Sequence, residues 1–179
     1  MQFKSDIMDE AAVGRALTRI AHEIVERNDG AKEIAVVGIM RRGVSLAKII
    51  SKKLSELGAH VNIGSLDISL YRDDLTLELD EPILNKTEID FEIAGKTVIM
   101  VDDVLYTGRT ARAAMDALIA LGRPAKIQLA VLIDRGHREL PIRADYVGKN
   151  IPTSKNEVVV VSIPPFDDST DVKLFNKQA

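Results

Sequence analysis

Two hydrophobic rhythms alternate along the chain. From 9 to 28 the apolar positions return every three or four residues. At 100° per residue, Val13, Leu17, Ile20 and Ile24 share one side of a helix that Asn28-Asp29-Gly30 would end. The rhythm then shortens to a continuous apolar run, EIAVVGI at 33–39, which reads as a buried strand. VSLAKIISKKLSEL at 44–57 predicts a second helix, stopped by Gly58, and HVNIGSLDISLY at 60–71 alternates like an exposed or edge strand. Residues 72–93 are acidic and without period, as in a long loop or mobile hairpin. After them come a strand at 97–101, a helix at about 108–121, and strands at 127–133, 144–148 and 157–163, followed by a polar tail. Buried strands alternating with helices predict a mainly parallel sheet in a doubly wound α/β fold. Ligands of such folds collect at the carboxyl ends of strands.

Composition narrows the function classes. The 179 residues fit one domain spanning 1–179, with a core that must be aliphatic because aromatics are 4% and Trp is absent. A lack of Cys excludes disulfides and thiolate metal sites and suits a reducing cytoplasm, the expected location. No apolar run reaches the length of a membrane span, and the N-terminus lacks a signal-peptide pattern. Net charge is −3, so nucleic-acid binding would need a local basic patch.

Chemistry concentrates where the strand at 97–101 ends. Two adjacent acids, Asp102 and Asp103, lead into VLYTGRT. Paired carboxylates accept hydrogen bonds from two vicinal ribose hydroxyls, or face Mg²⁺ through water. After them Thr107 is a candidate helix cap, Gly108 lets a ligand approach the backbone, and Thr110 adds a hydroxyl. The first-turn N–H groups would form a phosphate site. A strand end followed by a capped helix, with no ligand, fits the same residues taken singly.

The whole run, Val98–Thr110, resembles the thirteen-residue PRPP motif of type I phosphoribosyltransferases; neither GxxxxGK nor GxGxxG is present. The resemblance implies that fold, with a small hood from about 134–165 and a flexible lid at about 69–93. It implies that Asp102 and Asp103 hold the ribose hydroxyls, with Mg²⁺ bound through PRPP and water rather than directly. Val104, Leu105 and Tyr106 would lead into Thr107, Gly108, Arg109 and Thr110, which wrap the 5′-phosphate. Met40, Arg41, Arg42 and Gly43 would form the pyrophosphate loop, which in the family often carries a non-proline cis peptide; two adjacent Arg in a turn also fit a solvated surface. In the lid, Arg72, Asp73 and Asp74 are the candidates, with Arg72 reaching pyrophosphate. Purine enzymes carry an Asp where this chain has Tyr106, which disfavours purines and leaves a pyrimidine attacking through N1. By the same analogy Tyr146 and Val147 border the base with Asp134 and Arg135 opposite, although Tyr146 also fits a core position.

The segments RALTRIAHE, DISLYRDDL, VDDVLYTGRTARAAMDAL and GRPAKIQLAVLIDRGHRELPIRADYVGKNIPTSK are similar to the PyrR family of pyrimidine operon attenuation regulators, over about residues 7–163. The similarity implies two functions. One is uracil phosphoribosyltransferase activity, making UMP and pyrophosphate from uracil and PRPP. The other is binding of the leader mRNA of a pyrimidine operon, favoured by UMP or UTP. Thr18, Arg19, His22, Arg27, His137, Arg138, Arg143 and Lys149 would face the RNA, and a homodimer or higher homo-oligomer would join two such patches. The polar side of the 9–28 helix also fits an ordinary solvated surface. A salvage enzyme without RNA regulation, and a nucleotide-sensing regulator with little turnover, remain alternatives.

Overall fold

A computed structural model of the chain describes residues 1–30, 33–69, 71 and 87–178. Among these residues it forms eight strands and three helices, in the order β1 (Gln2–Met8), α1 (Glu10–Arg27), β2 (Ile34–Ile39), α2 (Arg42–Glu56), β3 (Val61–Leu66), β4 (Thr97–Leu105), α3 (Arg109–Leu121), β5 (Lys126–Asp134), β6 (Tyr146–Asn150), β7 (Glu157–Ser162) and β8 (Asp171–Asn176). Strands β3-β2-β4-β5-β6 form a parallel sheet. Arg72, Asp73 and Asp74, with most of the expected lid, lie outside the described residues.

Period-2 alternation along the central strands sorts their side chains into two cores. Val36, Ile99 and Val101 point to one face of the sheet and pack with α1 and α2 through Leu17, Ile20, Leu46 and Ile50. Val37, Val98 and Met100 point to the other and pack with α3 through Ala114, Ala117 and Leu118. Each fully buried Leu or Ile stabilises the fold by about 1.5–3 kcal/mol. The Asp9 carboxylate caps α1 by accepting the Ala12 N–H at 2.7 Å.

Two strands escape the sequence reading. The polar tail is β8, which pairs antiparallel with both β7 and β1 in a second, three-stranded sheet. Its Val172 and Leu174 turn into the first core while Asp171 and Lys173 turn outward. β4 also runs four residues further than expected: Asp102, Val104 and Leu105 still pair with Val131, Ile133 and Asp134 of β5. The two acids therefore stand on a hydrogen-bonded strand and not on a loose loop. α2 starts at Arg42, so Arg42 and Gly43 form its first turn. Among the described residues no helix is long and apolar enough to cross a membrane.

Candidate active site

β4 delivers Asp102 and Asp103, half-buried, to the carboxyl edge of the parallel sheet. Their carboxylates are oriented by the backbone: Asp102 Oδ1 accepts the Asp103 N–H at 2.9 Å and Asp103 Oδ1 accepts the Val104 N–H at 2.8 Å. Burial pushes the Asp103 carboxyl above the usual carboxylate range, opposed by hydrogen bonding to Asp102 and Val104 and by the positive charge of Arg42.

The neighbouring turn comes close because residue 43 is glycine. A Cβ there would lie 2.4 Å from the Val101 carbonyl oxygen and 3.3 Å from Asp102 Cα, so only glycine lets the start of α2 pack against the end of β4. The preceding Met40–Arg41 peptide is cis. Met40, Arg41, Arg42, Asp102, Asp103 and Thr110 line one cavity of about 370 Å³, with Asp67 and Ser69 across it. Arg42 is not simply aimed into that cavity, because its Nε and Nη2 donate to the two Asp167 oxygens at 2.9 and 2.8 Å.

A second cavity of about 360 Å³ follows, walled by Asp102, Val104–Thr110 and Glu139. Gly108 adopts φ +94°, the left-handed region, and is the residue from which α3 starts. The expected Thr107 cap is corrected here, since the Thr107 hydroxyl reaches only the Arg109 N–H, at 3.4 Å. Three carbonyls at the start of the turn are taken up by internal hydrogen bonds. Leu105 O accepts the Arg135 N–H at 3.1 Å, Tyr106 O accepts Arg138 Nη1 at 2.7 Å, and Thr107 O accepts the Glu139 and Leu140 N–H groups at 2.9 and 3.2 Å. With the carbonyls so engaged, the first turn of α3 offers N–H groups and its positive dipole end to an anion. Arg109 pairs with Glu139 at 2.9 Å across the mouth.

The base-binding candidates divide. Arg135 is buried and stacks on the Tyr106 ring at 4.0 Å, while its fork donates to Thr153 Oγ1, Ser154 O and Glu157 O. His137 meets the edge of the same ring at 5.8 Å and its Nε2 donates to Thr153 O. Tyr106 thus contacts both Arg135 and His137, next to the Thr107–Thr110 turn. Asp134 is occupied by the Gly136 N–H and the Arg138 guanidinium. Tyr146 is a correction: it is 2% exposed, lies on the α1 side of the sheet, and bonds through its hydroxyl to Gln128 and Asn28 at 2.9 and 3.1 Å. Parallel pairing sets it level with Ala130, four residues short of the strand tips. Val147 faces the opposite core.

The candidates for RNA contact fall in four places. Thr18, Arg19 and His22 are exposed on α1, where with Arg15 and Lys53 they line an open groove. There Arg19 Nη2 donates to the Val147 and Gly148 carbonyls at 2.9 and 2.7 Å, and Lys53 donates to Thr18 Oγ1 at 2.7 Å. Lys149 reaches this side from β6, donating to the Ile7 carbonyl at 3.2 Å. Arg27 sits at the far end of α1, paired with Asp145 at 3.0 Å, and Arg143 is exposed in the segment before β6. His137 and Arg138 pack against the Leu105–Thr107 segment and are half-buried there. Glu139, Asp67 and Asp167 are not singled out by the sequence, and Ser69 only as the first residue of the expected lid. Glu139 directly follows His137 and Arg138, a usable signal, while Asp67 and Asp167 depend on long-range packing.

Comparison with known proteins agrees with this geometry. The family model described as phosphoribosyl transferase domain matches residues 4–165. The protein named Bifunctional protein PyrR from Thermoanaerobacter sp. (strain X514) is 58% identical over 178 residues, which is 99% of this chain and 100% of that protein. Its namesake from Deinococcus radiodurans is 58% identical over 176 residues, 98% and 96% of the two chains. The hypoxanthine phosphoribosyltransferase of Trypanosoma cruzi, solved with IMP, has the same fold at TM-score 0.75 and 17% identity, over 98% of this chain and 92% of that one. A hypoxanthine-guanine phosphoribosyltransferase of Bacillus anthracis superposes at TM-score 0.73 and 19% identity, over 97% and 98%. The chain belongs to the phosphoribosyltransferase family and, within it, to the PyrR proteins.

Proposed function

We propose that this chain is a uracil phosphoribosyltransferase that also binds the leader mRNA of pyrimidine biosynthetic genes in response to UMP. The observation that carries the catalytic half is the pair of backbone-oriented carboxylates, Asp102 and Asp103, followed within five residues by a turn whose Leu105, Tyr106 and Thr107 carbonyls are taken up by internal hydrogen bonds. Asp102 and Asp103 accept the two ribose hydroxyls of PRPP. The Thr107–Thr110 turn receives the 5′-phosphate, and Met40–Gly43, led by Arg41, receives the pyrophosphate. Hard carboxylate oxygens suit Mg²⁺, and Asp102 and Asp103 would hold it through water and the ribose hydroxyls. When bound, the ion offsets negative charge on the departing pyrophosphate. The C1–O bond to pyrophosphate breaks, positive charge develops at C1, and uracil N1 forms the new bond as its proton leaves. Tyr106 supplies no carboxylate base, so the chain acts by orienting the pyrimidine.

For the regulatory half, the exposed Thr18, Arg19 and His22 on α1, with Lys149 beside them, support a surface that meets RNA phosphates and unstacked bases. Two copies related by a two-fold axis would join such surfaces. The word bifunctional in the relatives' name supports the pairing of roles. A cytoplasmic location follows from both substrates. Formation of UMP from uracil and PRPP with Mg²⁺ tests the enzyme directly; turnover with hypoxanthine or guanine in place of uracil would contradict it. A salvage enzyme without RNA binding is the second reading, and the internal hydrogen bonds of Arg19 and Thr18 favour it.

A further inference from the structure

Asp167 lies beyond the residues that the family model matches, in the turn between β7 and β8. It is nevertheless tied to the candidate active site. Both of its carboxylate oxygens accept hydrogen bonds from Arg42, in the side-on bidentate geometry that fixes a guanidinium in direction as well as distance. The carboxylate is itself held in place: Oδ2 also accepts the Ile163 N–H at 2.9 Å, and the Asp167 N–H donates to Ile163 O at 3.2 Å. Arg42 stands in the first turn of α2, lines the cavity shared with Arg41, Asp102 and Asp103, and feels the charge of Asp103.

Two anions therefore compete for one guanidinium. An Arg42 drawn onto Asp103 would bridge the cavity and occupy the carboxylate that must accept a ribose hydroxyl. A bidentate partner on the opposite side prevents this, and it leaves the Nη1 corner of the fork for an incoming polyanion. We infer that Asp167 is a positioning residue for phosphoribosyl transfer: it anchors Arg42 away from Asp103 and so keeps the PRPP-binding cavity open. Arg42 accordingly acts as a clamp between the Met40–Gly43 turn and the β7–β8 turn. The hydrogen bond from Arg42 holds the Asp167 carboxyl below the usual range, so the pair is charged at neutral pH.

This rests on the reading of the pocket as a PRPP site, and the test separates the two. Steady-state kinetics of UMP formation are measured for the full-length wild type, Asp167→Asn, Asp167→Glu, and Asp168→Asn, which removes the same charge from the exposed neighbouring residue. Calorimetric titration with Mg²⁺–PRPP accompanies each. Inactive wild type that fails to bind PRPP would sink the reading of the pocket itself. With active wild type, Asp167→Asn is expected to raise KM and the dissociation constant for PRPP roughly tenfold while kcat and KM for uracil change less than about twofold. Asp167→Glu is expected to recover most of the loss, and Asp168→Asn to resemble wild type. Unchanged or tighter PRPP binding in Asp167→Asn would overturn the inference, as would an equal loss in Asp168→Asn or a fall in kcat with KM intact.

Discussion

The strand-tip pocket and the outer face of α1 both carry Arg, Thr and His, and in both an arginine bonds the protein's own carbonyls, but the two regions differ in burial and enclosure. In the pocket, half-buried groups fix the shape of the site: Arg138 and the N–H groups of Arg135, Glu139 and Leu140 take up the Leu105–Thr107 carbonyls, Arg135 braces Tyr106, and Asp167 holds Arg42. The ligand-facing groups are then mostly backbone N–H and two carboxylates whose directions are set before anything binds, which is the arrangement that electrostatic catalysis needs. On α1, Thr18, Arg19 and His22 are exposed, and the groove they line is open. Long exposed side chains supply charge and reach rather than geometry, which suits a polyanion recognised partly by its backbone. The first arrangement suits the proposed small ligand and the second the proposed RNA.

The largest effect should come from breaking the pocket's oriented acids. Asp103→Asn is expected to lower kcat/KM for PRPP by about 100- to 1,000-fold, comparable to removing one preoriented electrostatic group from an active site, and to leave RNA binding without UMP intact. Wild-type-like kinetics would remove Asp103 from the site. Next comes Gly43→Ala. Its Cβ would lie 2.4 Å from Val101 O, and pushing the turn back by about 1 Å should cost on the order of 100-fold in kcat/KM; a gel-shift of the same variant should match wild type.

The α1 face should respond in the other sense and more weakly. Arg19→Gln is expected to leave UMP formation unchanged, lower RNA affinity several-fold, and reduce the slope of log K against log salt by about 1. Equal loss of both activities would instead point to damage at β6, whose carbonyls Arg19 also bonds.

How far each region was legible in the sequence follows from the range of its contacts. The acids and the turn after them are one continuous run from Asp102 to Thr110, so strand, glycine and helix start could be read together. The polar side of α1 was visible from its 3.6-residue period, and the structure exposes Thr18, Arg19 and His22 there. What could not be read depends on register or on distant partners. For Tyr146 the analogy with purine enzymes suggests the base and its side chain equally fits the core; which side of β6 it faces is decided by pairing with β5. β1 and β8 are short and polar enough to pass for tails until the two chain ends pair. Arg42 and Asp167 are 125 residues apart, and no local pattern announces their bond.

Two smaller effects sharpen the division. Tyr146→Phe removes a buried hydroxyl bonded to Gln128 and Asn28, and should lower stability by about 1 kcal/mol with KM for uracil unchanged; a raised uracil KM would return Tyr146 to the base. The pH dependence of the Arg42–Asp167 pair is smaller still. Because the folded Asp167 carboxyl titrates below its ordinary value, its stabilisation is present above about pH 4 and is lost as pH falls through the folded value. The difference in thermal midpoint between wild type and Asp167→Asn should therefore be full at neutral pH and shrink below about pH 4; a difference that grows in acid would contradict the pairing.

The division between a preoriented nucleotide pocket and a separate RNA face is tested most directly by a gel-shift titration of the purified protein against the leader RNA of its own pyrimidine operon, at fixed salt, with and without UMP. Tight binding that UMP strengthens is the expected result, since a ligand in the pocket and RNA on α1 must favour each other reciprocally if both bind one state of the protein. Weak binding that ignores UMP and fades with salt would contradict it and leave a phosphoribosyltransferase with an ordinary basic helix.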